Sequence, residues 1–439
     1  MNIENTCNQN KIKYIFADNN NWEVFKDNHL SEKVPSDMVS NVIEEVEKFL
    51  KCGEYENGYT LYKCPDCNEK HIVAFSCKSR FCPRCGKKYI DEWVNKQVDN
   101  ILDTSHRHMV FTIPEELRKY VYWNRDLIKE MSNKVAEVIK SYYRKQNKRL
   151  KYEAGIITVV HTFGRDVGFN PHIHCLVTEG ALDKYKQWKH QSYISYNYLR
   201  KAWQKVLLDI FKGYFSENKK VQNLINKLYA RYKDGFYVYA NSRMRKADSA
   251  ARYIGRYLAR PAIAEYRIIS YDGEKVKFWY EDHKTKKIKE LTLPVMQFIG
   301  RLIMHIPKKY FRMVRRYGLY RRDFNKRAQK ILALWSYMRK RQINLILVKK
   351  KARSKTWRER IIENFNIDPV KCPKCGKEMI LWEVWNPKYD FIYHVEHTDE
   401  KGRHIRRYLW EGDPRLERIQ KARDNGTSVP FPYGKREVV

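Results

Sequence analysis

The chain has 439 residues, 87 Lys and Arg against 51 Asp and Glu, a net charge of +36, and 32 tyrosines. Its length exceeds a single hydrophobic core, so two or three domains are expected, and no apolar run approaches the roughly 18 residues of a membrane span. These features argue against a helical membrane protein and favour a polyanionic partner, because Lys and Arg displace condensed counterions from phosphates. Met1-Asn2-Ile3-Glu4-Asn5 lacks the basic-then-apolar pattern of a signal peptide, so the expected location is the cytoplasm, in contact with nucleic acid.

Residues 1–34 are polar and expected to be only partly ordered. Pro35-Ser36 then opens a predicted helix in which Val39, Val42, Ile43, Val46, Phe49 and Leu50 recur with helical period. Within 35–100, Cys64-Pro65-Asp66-Cys67 and Cys82-Pro83-Arg84-Cys85 form two knuckles. The fourteen residues between them let four thiolates surround one tetrahedral, structural Zn²⁺ in a small ribbon-like module. Cys77 and Cys52 lie near enough to replace a knuckle cysteine or simply to pack. In a reducing compartment such pairs read as metal sites rather than disulfides.

Residues 101–265 read as mixed α/β. Strands are expected at His108–Pro114, Gly155–Phe163 and His172–Thr178, with a helix over 124–147, a basic helical stretch over 184–233, and a further strand at Gly235–Tyr239. The two strands flanking the turn Gly164–Pro171 should be antiparallel neighbours. In Asn170-Pro171-His172-Ile173-His174, alternation puts both imidazoles on one side and Ile173 and Cys175 on the other, so the two rings can converge on one cation. His161, His106, His108 and Asp248 are the candidates for a third ligand. Asp248 to Pro261 reads as a helix in which Tyr253 and Tyr257 share a face. Arg252, Arg256 and Arg260 form an adjacent row, where a scissile phosphate would need guanidinium groups. Taken singly, a His-x-His pair is more often a polar strand face, and two tyrosines one turn apart are more often core. Together they suit strand transfer, because phenolate attack on a phosphodiester conserves the energy of the broken bond.

Over 266–322, Tyr266–Tyr271 and Val276–Tyr280 flank the turn dipeptide Asp272-Gly273 as a hairpin. Arg301 to Arg322 then carries Lys308, Lys309, Arg312, Arg315 and Arg316 without an acidic residue. Interleaved Tyr310, Phe311, Tyr317 and Tyr320 could stack on unpaired bases, the ordinary alternative being a solvated basic face. The basic C-terminal region, 323–439, repeats the knuckle as Cys372-Pro373-Lys374-Cys375, with His394 and His397 as the expected partners for a second zinc.

Several of these motifs recur in order: Ser76 to Cys85, His108 to Pro114, His161-Thr162-Phe163-Gly164, Asn170 to His174, Tyr253 to Arg260, and Phe298 to Arg301 with His305 and Pro307. In this the chain, from about Cys52 to Arg322, resembles the HUH endonuclease superfamily, and more closely the two-tyrosine, rolling-circle transposases of bacterial insertion sequences. The resemblance implies an α+β fold, with a central antiparallel sheet flanked by helices. It implies a transposase that nicks single-stranded element ends with Mg²⁺ or Mn²⁺, becomes joined to the 5′ phosphate, and passes the strand to target DNA at the bacterial nucleoid. By the family's pattern His172 and His174 bind the metal, Tyr253 and Tyr257 are the nucleophiles with Arg256 beside them, and the zinc module helps to recognise element DNA. Related single-tyrosine enzymes place a polar metal ligand four residues after the nucleophile, where this chain has Tyr257. A replication initiator or mobilisation relaxase would use the same chemistry. A non-catalytic, zinc-dependent DNA-binding regulator would need the charge and cysteines but neither the histidines nor the tyrosines, and no glutamate adjoins His172 and His174 as in a zinc hydrolase.

Overall fold

The computed structural model describes residues 10–339, apart from 99, 192–193, 240–242, 245–246, 256–260 and 283–284, together with 368–395 and isolated positions between 356 and 426. Residues 10–33 correct the expectation of partial order: they form helices α1 (Lys11–Ala17), α2 (Asn21–Asn28) and α3 (Leu30–Lys33). The apolar residues here are few but large. Ile12, Ile15 and Phe16 are buried, and Trp22 lies between the rings of Phe16 and Phe25 at 6.2 Å from each. Asn10 caps α1 by accepting from the Lys13 amide, and Asn21 is buried but donates to the Ile15 carbonyl and the Tyr271 hydroxyl. The predicted helix follows as α4 (Val39–Leu50), burying Val42, Val46 and Phe49.

The chain continues through β1 (Tyr59–Lys63), β2 (Lys70–Ala74), α5 (Pro83–Val98), β3 (His106–Thr112), α6 (Glu115–Trp123), α7 (Asp126–Gln146), β4 (Glu153–Phe163) and β5 (Phe169–Leu182). Next come β6 (Trp188–His190), α8 (Tyr196–Tyr214), α9 (Lys219–Arg231), β7 (Val238–Tyr239), β8 (Arg243–Met244) and α10 (Ala247–Gly255). The last described elements are β9 (Ile268–Tyr271), β10 (Lys275–Glu281), β11 (Ile288–Pro294), α11 (Val295–Ile303), β12 (Val314–Gly318), α12 (Asn325–Arg339), β13 (Ile380–Asn386) and β14 (Asp390–His394). They fall into two compact units, one of residues 1–46 and 86–352, the other of 47–85 and 353–439.

The first unit is built on a sheet in the order β12-β4-β5-β3-β7, with β6 added beside β5 and β8 beside β3. The fold expected from sequence holds here: β4 and β5 are antiparallel neighbours, and helices cover both faces. On one face Met109, Phe111, Ile156, Val160, Ile173 and Cys175 join a core with Met131 and Val135 of α7 and Trp203 and Leu207 of α8. On the other, Ile157, Val159 and Leu176 pack with Ala250 and Ile254 of α10 and with Ala328 and Leu332 of α12. Covering both faces explains why β4 and β5 read as nearly continuous apolar runs. Each fully buried Leu, Ile, Val or Phe contributes about 1.5–3 kcal/mol relative to exposure. The hairpin around Asp272-Gly273 forms as β9 and β10, and β11 extends it to a separate three-stranded sheet. Asp272 Oδ1 accepts from the amides of Glu274 and Lys275, and Gly273 takes a φ of 100° that a side chain would disfavour.

The second unit holds a four-stranded sheet, β14-β13-β1-β2. This corrects the division of the chain into a module over 35–100 and a separate C-terminal region. β13 pairs antiparallel with β1, Tyr59 lying opposite Trp385 and Lys63 opposite Ile380, so the C-terminal strands complete the sheet that the N-terminal hairpin begins. Tyr59, Leu61 and Trp385 are its buried centre, and the Tyr59 hydroxyl donates to Glu383 at 2.5 Å.

Candidate active site and metal centres

Strand register assembles the histidines. In β4–β5 pairing His161 stands opposite His172, and in β3–β5 pairing Val110 stands opposite His174 and His108 opposite Leu176. Residues directly opposite share a face, so His108, His161, His172 and His174 all lie on the α10 side of the sheet. Nitrogen atoms of His161, His172 and His174 come within 4.8 Å of one another. His161 is thus the member of the third-ligand shortlist that joins the pair. Its Nδ1 is 3.2 Å from His172 Nε2. His172 Nδ1 lies 2.7 Å from the Asn170 carbonyl and must donate to it, which leaves Nε2 with its lone pair toward the cluster. Burial holds the His172 pKa below the usual imidazole range; the Asn170 carbonyl works against this, and the nearby Arg118 cation adds to it. A neutral imidazole is the form that binds a metal.

His108 sits between this cluster and the tyrosine. Its Nε2 is 2.9 Å from His174 Nδ1, and its Nδ1 is 3.2 Å from the Tyr253 hydroxyl. The Tyr253 ring meets the His108 ring at 4.8 Å between centroids and 64° between planes. Two positions after Tyr253, a Cβ added at Gly255 would come within 2.2 Å of Val94 Cγ2, so glycine lets α10 approach α5 closely. Arg252 is exposed on α10. Arg256, Tyr257 and Arg260 lie outside the described residues, as does the side chain of Asp248. His106 is not part of the cluster: its Nε2 contacts the Tyr320 hydroxyl, and burial lowers its pKa to about 4. Arg118, whose charge is felt by His172, is the residue that sequence reasoning missed. In Glu115-Glu116-Leu117-Arg118 it looks like one more solvated helix charge, and only the placement of α6 against β5 brings it to the histidines.

The cysteines correct the single-zinc expectation. Cys64, Cys67, Cys82 and Cys85 do not surround one ion. Cys82 and Cys85 group with Cys52 and Cys77, whereas Cys64 and Cys67 group with Cys372 and Cys375. Sulfur separations are 3.5–3.8 Å in the first set and 3.5–3.6 Å in the second. Four thiolates at about 2.3 Å from a tetrahedral zinc stand about 3.8 Å apart, so both sets fit that ion. Two motifs that look alike in sequence differ in backbone: Cys64-x-x-Cys67 is a turn between strands, but Cys82-x-x-Cys85 opens α5. His394 is not a partner of Cys372 and Cys375. Its Nε2 faces Glu383 at 3.6 Å, and His397 lies outside the described residues.

The basic stretch after Arg301 is less open than its composition implies. Lys308 pairs with Asp37 and Asp126, Lys309 with Glu44, and Arg316 donates to Gln97. Arg315 and Arg316 belong to β12, at the edge of the central sheet. Tyr320 is buried, hydrogen-bonded to the Leu102 amide, so it cannot stack on bases as expected. Tyr317 is half-buried with its hydroxyl on Asn133, while Tyr310, 91% exposed, and Arg312 face solvent. Among the described residues, no helix is long and apolar enough to cross a membrane.

A family described as "Putative transposase" matches residues 155–328, and one described as "Transposase zinc-binding domain" matches residues 19–113. The chain is 28% identical to the transposase for insertion sequence element IS801 of Pseudomonas savastanoi pv. phaseolicola, over 84% of this chain and 88% of that protein. It is 24% identical to a protein described as "Putative transposase y4qJ" of Sinorhizobium fredii (strain NBRC 101917 / NGR234), over 83% of this chain and 93% of that one. A "Protein rep" of Staphylococcus aureus is 28% identical over 36% of this chain and 73% of its own length. No solved structure matches the chain significantly. The chain is therefore similar to insertion-sequence transposases over most of its length, and residues 19–113 are similar to a transposase zinc-binding domain.

Proposed function

We propose that this relative of insertion-sequence transposases cuts and rejoins single DNA strands by the HUH-type, rolling-circle route, with Tyr253 as a nucleophile. The observation that carries the reading is the contact chain from the Tyr253 hydroxyl through His108 to His174, beside His161 and His172. The three clustered imidazoles would hold Mg²⁺ or Mn²⁺, nitrogen donors favouring Mn²⁺, and the bound ion would polarise the scissile phosphate. If His174 used Nε2 toward a bound cation, its Nδ1 would keep the proton and donate to His108 Nε2. His108 would then carry its own proton on Nδ1 and direct that N–H at the Tyr253 oxygen. Such a hydrogen bond would hold the Tyr253 oxygen in place beside the imidazoles. The phenol proton would leave to water, Tyr253 being only partly buried.

In the cleavage step the Tyr253 oxygen forms a bond to phosphorus while the bond to the departing 3′ oxygen breaks. That oxygen becomes a 3′ hydroxyl after taking a proton from water, and the 5′ phosphate stays on the tyrosine. Attack by a 3′ hydroxyl of the target reverses the step without ATP. Tyr257 is the proposed second nucleophile, permitting two transfers without release of an end. Arg118, whose charge is felt by His172, and the row Arg252, Arg256 and Arg260 are the proposed phosphate contacts. Lys308, Lys309, Arg312, Arg315 and Arg316 are proposed to follow the DNA backbone, with Arg312 and Tyr310 the most accessible of that region. The site of action is the bacterial nucleoid.

Incubation with labelled single-stranded DNA from the element's ends and Mn²⁺ should yield a denaturant-stable protein–DNA adduct. Absence of the adduct with every divalent metal, or its survival in Tyr253→Phe/Tyr257→Phe, overturns the mechanism. The similarity to the Staphylococcus protein supports a second reading, replication initiation by the same chemistry. Transfer of a marked element into a target plasmid, without replication from a supplied origin, separates the two. A non-catalytic zinc-dependent regulator would bind DNA equally well with both tyrosines replaced.

A further inference from the structure

The two knuckles of the second unit are twins in their backbone. The Cys64 amide donates to the Glu69 carbonyl and the Asn68 amide to the Cys64 carbonyl; the Cys372 amide donates to the Lys377 carbonyl and the Gly376 amide to the Cys372 carbonyl. Each turn is completed by a residue of left-handed conformation just after its second cysteine, Asn68 at φ 58° and Gly376 at φ 73°. Cys82-Pro83-Arg84-Cys85 instead continues into α5, so it is the odd one of the three similar motifs.

Pairing of β1 with β13 brings the twins together. Cys64 Sγ lies 3.5 Å from Cys375 Sγ, and Cys67 Sγ lies 3.5 Å from Cys372 Sγ and 3.6 Å from Cys375 Sγ. Tyr62 and Met379 pack beside them, and Lys377, just after one knuckle, pairs with Asp66 inside the other at 2.9 Å. The matched zinc-binding domain ends at residue 113, so it supplies only half of these ligands. We propose that Cys64, Cys67, Cys372 and Cys375 form a second zinc site, separate from that of Cys52, Cys77, Cys82 and Cys85, which ties the two distant segments of the second unit into one sheet. The site takes a borderline-soft, tetrahedral divalent ion, for which four thiolates are the preferred donors.

The test uses the full-length protein. Native mass spectrometry of the purified chain should find two zinc ions in the wild type, and one in each of C372S/C375S and C82S/C85S. Because either variant could fail to fold, the wild type is also pulsed with iodoacetamide, with and without a zinc chelator, and mapped by peptide mass spectrometry. Cys64, Cys67, Cys372 and Cys375 should be protected as a set, each alkylating at least tenfold faster after chelation. A single zinc in the wild type overturns the proposal. So does alkylation of Cys372 and Cys375 at the same rate with and without chelator while Cys82 and Cys85 are protected.

Discussion

The histidine cluster and the cysteine clusters are both many-ligand sites, but they are assembled over very different lengths of chain. His161, His172 and His174 come from two strands joined by a short turn, and their convergence is fixed by antiparallel register alone. Cys64 meets Cys375 across 311 positions, through the pairing of β1 with β13. The local site sits on a sheet with a large apolar core on each face, whereas the distant one is packed beside a cluster of only a few side chains. A metal in the first is therefore expected to serve chemistry and in the second to serve folding.

Replacing Tyr253 and Tyr257 together by Phe should give the largest effect, reducing adduct formation by about 10⁴-fold or more while leaving the melting temperature within a degree or two. A comparable loss of stability would erase the distinction between the two kinds of site. Cys77→Ser should do the reverse, costing several kcal/mol in the second unit, seen as a separate, lower-temperature transition by calorimetry, with the first unit's transition unmoved. Acid should weaken the histidine-bearing unit by a route independent of any metal. Burial lowers the pKa of His106 to about 4 and that of His305 to about 3, against ~6.5 for an unfolded histidine. The unfolded chain then binds more protons below ~6.5, so stability is full above that pH and is lost as pH falls toward 4, by on the order of 3 kcal/mol for His106 alone. Urea titrations from pH 7.5 to 4.5, compared with those of His106→Asn, should show the shallower slope in the variant.

Smaller effects should resolve the parts of the site. His108→Ala should slow adduct formation about 10–100-fold, the range for a group that orients a ligand and a nucleophile, with Mn²⁺ affinity measured by calorimetry changing less than the rate. Gly255→Ala should cost about 1–3 kcal/mol through overlap with Val94, and should lower the cleavage rate by shifting α10 while leaving the histidines in place. Retention of full activity in that variant would show that the spacing of α10 and α5 does not set the position of Tyr253.

The same contrast explains what could be read from the chain. His172 and His174 were legible because period-two alternation fixes their face, and His161 became a ligand candidate once its strand was taken as the neighbour. The partition of the cysteines was not. Three Cys-Pro-x-Cys motifs carry no local mark of which partner each takes, and fourteen residues between two of them suggested a pairing that β1–β13 register overrides. The helices before residue 34 escaped notice because a few large side chains, Phe16, Trp22 and Phe25, outweigh a polar average. Arg118 and the buried Tyr320 depend on which helix or strand lies alongside, information that no window along the chain contains.

The pairing of β1 with β13 also sets an order of events during synthesis. A ribosome adding about 5–20 residues per second reaches Cys372 on the order of 15–60 s after Cys67, long after most of the first unit has emerged. Until then β1 is an edge strand, its free backbone groups open to wrong partners, and the first knuckle has only two thiolates. A polypeptide ending before Cys372 would carry every proposed catalytic residue yet lack the strand that covers the open edge of β1.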